Sequence, residues 1–139
     1  MFLKVKNIVA PSNCSNFVSD NGILFDKDKT KIEFYPGGSL REEDSYTIPS
    51  SVTEIAPYAF FWATGDSFGL LNITIPSSVK KIGKYAFSCL SRFKTDGTLN
   101  FADTSGWHKS ALAGPAVEDS DLTAANYNDN LSGYVLVRE

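Results

Sequence analysis

The residues Thr47-Ile-Pro-Ser-Ser-Val-Thr-Glu-Ile-Ala-Pro-Tyr-Ala-Phe60 recur as Thr74-Ile-Pro-Ser-Ser-Val-Lys-Lys-Ile-Gly-Lys-Tyr-Ala-Phe87, ten of fourteen positions matching at an offset of 27. A repeat of that period is the mark of a solenoid, a chain wound into stacked coils. The four mismatches are Thr53/Lys80, Glu54/Lys81, Ala56/Gly83 and Pro57/Lys84, while every large apolar position is the same in both copies. The stacking surface is therefore common to the two coils.

Within one unit the apolar run that ends at Ile48 or Ile75 meets a proline, which has no N–H to continue a ladder. Two serines then favour a turn, and Val52-x-x-Ile55 or Val79-x-x-Ile82 opens a second side. Ala56 or Gly83 is small enough for a tight corner, and Tyr85 to Leu90 carry helix formers for one or two helical turns. The expected coil is strand, corner, short extended side, short helix. Alone it would hold too few inward groups to offset an ordering cost of about 1 to 2 kcal/mol per residue. Stacking at about 4.8 Å would set Ile48 on Ile75, Val52 on Val79, Ile55 on Ile82 and Phe60 on Phe87.

Composition sets the outer bounds. The 139 residues are 42% apolar, enough for one domain with a core. A net charge of −3 argues against a nucleic-acid partner, which needs a basic face. No run of 18 apolar residues offers a membrane span. Met1 to Ala10 interleaves lysines with apolar residues and reads as no signal peptide, so the chain is expected to be cytosolic or part of a longer exported protein. Cys14 and Cys89 have no metal or redox spacing and are expected to be two buried thiols.

In chain order, residues 3–16 read as a decayed coil, because Asn7-Ile8-x-x-Pro11-Ser12 lines up with Asn72-Ile73-x-x-Pro76-Ser77. Its open edge is a template for association between copies. Residues 17–36 read as an inserted β-hairpin turning at Asp26-Lys-Asp-Lys29. Asp26-x-Asp28-x-Thr30 has calcium-loop spacing, but Lys31 and Gly37 stand where such a loop needs Gly and Glu. The repeats occupy 45–101, with Thr98-Leu-Asn-Phe101 as a further strand that places Leu99 over Ile73 and Phe101 over Ile75. Between the two full copies, Phe61 to Gly69 is about four residues longer than a coil of 23 requires. Trp62 and Phe68 in this insertion are the candidate partner-binding residues, since insertions on one face of a repeat often form the binding surface. They could equally fold back over the core. Residues 102–139, with a helical pattern near Asp119 to Tyr127 and a strand at Tyr134 to Val137, read as a C-terminal cap.

These residues resemble the BspA-like, or treponemal-type, leucine-rich repeats: Ile-Pro-Ser-Ser-Val-x-x-Ile-x-x-Tyr-Ala-Phe at 48–60 and 75–87, with Cys89 just after. Gly22-Ile-Leu-Phe-Asp-Lys-Asp-Lys-Thr30 and Tyr35-Pro-Gly37 are similar to a segment that often interrupts such repeats, and Asp103-Thr-Ser-Gly-Trp107 to their close. The resemblance implies a leucine-rich repeat solenoid: stacked short parallel strands with short helices, one inserted β-hairpin and a C-terminal cap, in a single domain over 1–139. It also implies a cell-surface or secreted bacterial protein that binds a protein ligand, host extracellular matrix among the candidates, in adhesion or host interaction. A structural unit that joins copies through exposed strand edges is the alternative.

Nothing in the chain spells catalysis. The single histidine, His108, has no His or Cys at ligand spacing and is expected on the surface or in the cap; an enzyme reading would need a deep pocket around it with an ordered carboxylate partner. No phosphate-loop, dinucleotide or nucleophile-elbow pattern occurs. Glu42-Glu43 and Glu118-Asp119 are solvated pairs. The expectation is no catalytic residue, no metal and no cofactor.

Overall fold

The computed structural model describes residues 7–37, 43–61, 70–88 and 97–139. Two sheets face each other across the core. The smaller is parallel and has three strands, β4 (Ser45–Thr47), β6 (Asn72–Ile75) and β8 (Thr98–Phe101), in that order. Ile73 pairs with Tyr46 on one side and Leu99 on the other, and Ile75 with Phe101, so the columns expected from the repeat spacing stand in register.

The larger sheet has seven strands in the order β1 (Phe17–Asp20), β2 (Ile23–Asp26), β3 (Lys31–Phe34), β5 (Glu54–Ile55), β7 (Lys81–Ile82), β10 (Leu136–Val137) and β9 (His108–Lys109). Its centre, β3-β5-β7, is parallel and is the second side of each coil. An inward row crosses five strands through Phe25, Ile32, Ile55, Ile82 and Leu136, none more than 1% exposed. Ile32 and Ile55 lie 23 residues apart in sequence and Ile55 and Ile82 lie 27 apart, yet all three are ladder neighbours. The longer coil is the one that contains residues 62–69.

Segment 17–36 differs from an excursion out of the repeat. β2 and β3 are antiparallel, but β3 is also the first rung of the parallel ladder. Its turn stacks under the next corner, with Thr53 N–H donating to Thr30 O at 2.7 Å and Ser51 Oγ to Lys29 O at 2.8 Å. Ahead of it, β1 pairs with β2 through the two-residue loop Asn21-Gly22, where φ is 49° and 78°, the mirror-image turn that matches strand twist. Asn7 to Asn16 forms no strand. Ile8 N–H bonds Gly22 O at 2.8 Å, and the parallel pairing of Asn72–Ile75 is not reproduced there.

The corner at Tyr-Ala-Phe corrects the expected short helix as far as Ser88; residues 89–96 lie outside the described residues. Tyr58 and Tyr85 sit at φ 59° and 57°, the left-handed region, which a helix of L-residues cannot contain. Each corner is a turn, closed by Phe61 N–H to Tyr58 O at 3.1 Å and Ser88 N–H to Tyr85 O at 3.2 Å. The reversed tyrosine turns outward and lets the following phenylalanine point in. Tyr35, Phe60 and Phe87 then stack with centroids 5.4 Å apart at each step. Gly83 is required by space: a Cβ there would lie 2.4 Å from Pro57 N in the preceding coil.

Segment 102–139 takes the place of a further coil while running its strand in the opposite sense. β10 lies antiparallel on β7. Arg138 N–H bonds Lys80 O at 2.9 Å, as Lys80 N–H bonds Thr53 O, and Ser132 O accepts from Tyr85 N–H at 2.6 Å, as Lys84 O accepts from Tyr58 N–H. The helix α1 (Ala124–Asn130), capped by Thr123, carries Tyr127 edge-on to Phe87 at 5.2 Å. Trp107, 2% exposed, lies edge-on to Phe101 at 5.9 Å.

Candidate interaction faces

Alternation along a strand sends every second residue outward, and the parallel sheet β4-β6-β8 presents two outward rows. One is Ser45, Asn72 and Thr98; the other is Thr47, Thr74 and Asn100. All six are hydroxyls or amides and none is charged. The first row is knitted across the strands, Asn72 Nδ2 donating to Ser45 Oγ at 3.2 Å and Thr98 Oγ1 to Asn72 Oδ1 at 2.6 Å. Asn100 Nδ2 reaches back to Thr98 Oγ1 at 3.3 Å. The inward residues Ile73, Ile75 and Leu99 are at most 7% exposed and fix the sheet from behind.

The opposite face is charged. Lys31, Glu54 and Lys81 lie side by side in the ladder, with Glu54 Oε1 3.8 Å from Lys31 Nζ and 3.4 Å from Lys81 Nζ. The substitution of Glu54 by Lys81 between the repeats thus produces alternating signs across neighbouring rungs, an arrangement that opposes like-charge repulsion.

Asp26 closes the β2-β3 turn. Its carboxylate accepts from Thr30 N–H and Lys31 N–H, both at 2.7 Å, and from Thr30 Oγ1 at 2.6 Å. Partial burial by itself would push this carboxyl up; the Thr30 hydroxyl, the two backbone N–H groups and the Lys31 charge together hold it below the ordinary value. The oxygens that a calcium loop would offer a cation are thereby turned onto the backbone. No group of three or more His, Cys, Asp or Glu stands together among the described residues.

His108 lines an open pocket of about 420 Å³ with Ser105, Gly106, Leu112, Arg138 and Glu139. Its Nδ1 donates to the Gly114 carbonyl at 2.9 Å, so the ring is oriented by backbone rather than by a carboxylate. Asp103 below it accepts from Ser105 Oγ at 2.7 Å and from Arg138 Nη2 at 2.6 Å. The Ser105 hydroxyl, the Arg138 guanidinium and the Ser105 N–H hold the Asp103 carboxyl well below the usual range. The Arg138 guanidinium also lies over Trp107, 5.7 Å from the ring centroid. The arrangement is a clamp between Arg138, just after β10, and the turn after β8.

Cys14 corrects the expectation of a buried thiol. It is half-exposed and free, and the N–H groups of Asn16 and Phe17, with Lys27 nearby, hold the thiol below its ordinary value. It lies in the turn ahead of β1, its N–H donating to Pro11 O at 2.9 Å. Cys89, and with it Trp62 and Phe68, lies outside the described residues.

The model of the BspA-type leucine-rich repeat region matches residues 25–104, in a form built of six copies. The chain therefore belongs to the BspA-type leucine-rich repeat family. Among solved structures it is similar to the pneumococcal vaccine antigen PcpA, with 32% identity and a TM-score of 0.50 over 59% of this chain and 19% of that one. It is also similar to a leucine-rich repeat protein from Eubacterium ventriosum, with 28% identity and a TM-score of 0.48 over 70% of this chain and 30% of that one. The chain thus spans less than a third of either protein. No curated protein sequence matches it. Among the described residues no helix is long and apolar enough to cross a membrane.

Proposed function

We propose that the chain is a non-catalytic protein-binding module of a cell-surface or secreted bacterial protein, acting in adhesion or host interaction, and that the outward face of β4-β6-β8 meets the partner. The observation that carries this is the face itself: six uncharged hydroxyl and amide side chains in two rows, held from behind by a fully packed core. Such a face is rigid before binding, so little ordering cost falls on the complex. Its groups both donate and accept, which suits the polar surface of a folded protein. Family membership and the likeness to PcpA support the class of function, and a host matrix protein is the first partner to try.

Trp62 and Phe68 are proposed as further partner-contacting residues, because the four extra residues of their coil need not serve the ladder. The test is binding of the purified chain to immobilised host matrix proteins. Thr74→Arg, at the centre of the face, should abolish capture and leave the melting curve in place. Trp62→Ala with Phe68→Ala asks the same of the insertion. Capture that survives all three changes, or none by the unaltered chain, overturns the reading.

A second reading, assembly of copies, is favoured by one feature: β1 is the outermost strand of the large sheet among the described residues, with Phe17 39% exposed, and Val9, ahead of it in the chain, is 82% exposed. Sedimentation over a wide concentration range separates the two. A constant mass supports the binding module, and a rising one supports assembly through that edge.

A further inference from the structure

Tyr58 and Tyr85 occupy equivalent corners of adjacent coils and share a backbone conformation that side chains rarely adopt, with φ 59° and 57°. Each is anchored through its N–H, to Lys84 O at 3.2 Å and to Ser132 O at 2.6 Å, so the corners hold the two side chains outward. They are 48% and 40% exposed, and their rings lie 5.4 Å apart at an interplanar angle of 30°. The conformation that points Phe60 and Phe87 into the core thus leaves two phenols stacked within reach of solvent.

We infer that this pair is a site of oxidative cross-linking, in which a peroxide-driven one-electron oxidant such as a haem peroxidase joins Tyr58 to Tyr85. Each phenol loses its O–H hydrogen, one electron and one proton, to give a phenoxyl radical with spin on the ring carbon beside the oxygen. The two such carbons form a C–C bond. Each then releases its hydrogen as a proton while the oxygen regains one, restoring both phenols. One hydrogen peroxide takes up the two electrons and two protons and leaves as two waters.

The other four tyrosines do not offer this combination. Tyr35 and Tyr46 are 5.1 Å apart, but Tyr35 is 0% exposed and out of an oxidant's reach. Tyr127 is buried. Tyr134 is 44% exposed, with the Lys109 ammonium 5.0 Å from its ring centroid rather than a second phenol. The bond would tie one coil to the next across a 27-residue separation, restricting the unfolded chain.

The experiment treats the full chain with peroxidase and hydrogen peroxide at low protein concentration, its thiols alkylated beforehand so that Cys14 does not consume the oxidant. The expected product is monomeric, lacks two hydrogens, shows dityrosine fluorescence, and on digestion joins the peptide of Tyr58 to that of Tyr85. Tyr85→Phe, which keeps the stacked ring, should bring the monomeric fluorescence to background, while Tyr134→Phe leaves it unchanged. The inference is overturned if the product is intermolecular, if it maps to Tyr134, or if urea-unfolded chain gives the same intramolecular bond in equal yield.

Discussion

Gly83 and Ala56 are equivalent by sequence, and only the glycine is forced. Its place beneath Pro57 leaves 2.4 Å for a Cβ, against backbone that cannot yield cheaply. Gly83→Ala should lower stability by about 1 to 3 kcal/mol, the usual cost of overpacking, read as a fall in the urea midpoint without a change of slope. Tyr127 presents the reverse case. Burial pushes its phenol up, and the hydroxyl has no hydrogen-bond partner among the described residues. Removing an unsatisfied buried polar atom costs nothing in bonding, so Tyr127→Phe should match or exceed the unaltered chain by up to about 1 kcal/mol in the same titration. The left-handed tyrosines were not legible from residue type, because nothing in tyrosine itself favours φ near 60°. Coil-to-coil bonds at Lys84 O and Ser132 O accompany that conformation at both corners.

Among the elements, the strands of the repeat were legible and the turns only partly so. Thr98–Phe101 and Asn72–Ile75 lie where the apolar columns put them, since a strand needs only its alternation and a neighbour. β1 was missed although Asn21-Gly22 is a strong hairpin signal; its flanks Val18 to Asp20 are too polar to announce a strand. The β2-β3 turn depends on Asp26. With its carboxyl held below the ordinary value, the ionised form is bound more tightly in the folded chain, so its contribution is complete above the unfolded carboxyl's range and disappears as pH falls through the lower folded value. Acid titration of unfolding should therefore show an extra loss in that interval, and Asp26→Asn should remove the loss and start from a lower plateau. An Asn variant with the same acid limb as the unaltered chain would dismiss the account.

At the scale of the whole molecule the aromatic column is continuous, Tyr35 to Phe60 to Phe87 and then edge-on to Tyr127. Stability in stacked coils comes from nearest-neighbour contacts. Phe60→Ala and Phe87→Ala should each cost about 3 to 5 kcal/mol, and the double variant should cost less than their sum, because the two rings touch; strict additivity in calorimetry would place them in separate environments. The sequence by itself determined that the coils within 45–101 stack, which of their residues point inward and how those rungs meet, because equal apolar residues at equal spacing can be buried together in only one register; the rung of Ile32 on Ile55 it did not announce. The tertiary structure alone decided what lies on either side of the parallel ladder. Among the described residues β1 and β2 flank it on one side of the large sheet, while β10 and β9 flank it on the other as antiparallel strands, with Ser132 O accepting from Tyr85 N–H and Arg138 N–H donating to Lys80 O. Those pairings join residues up to dozens of positions apart that share no repeated pattern. Their energy lies in backbone hydrogen bonds and buried area, which exist only once both partners are in place.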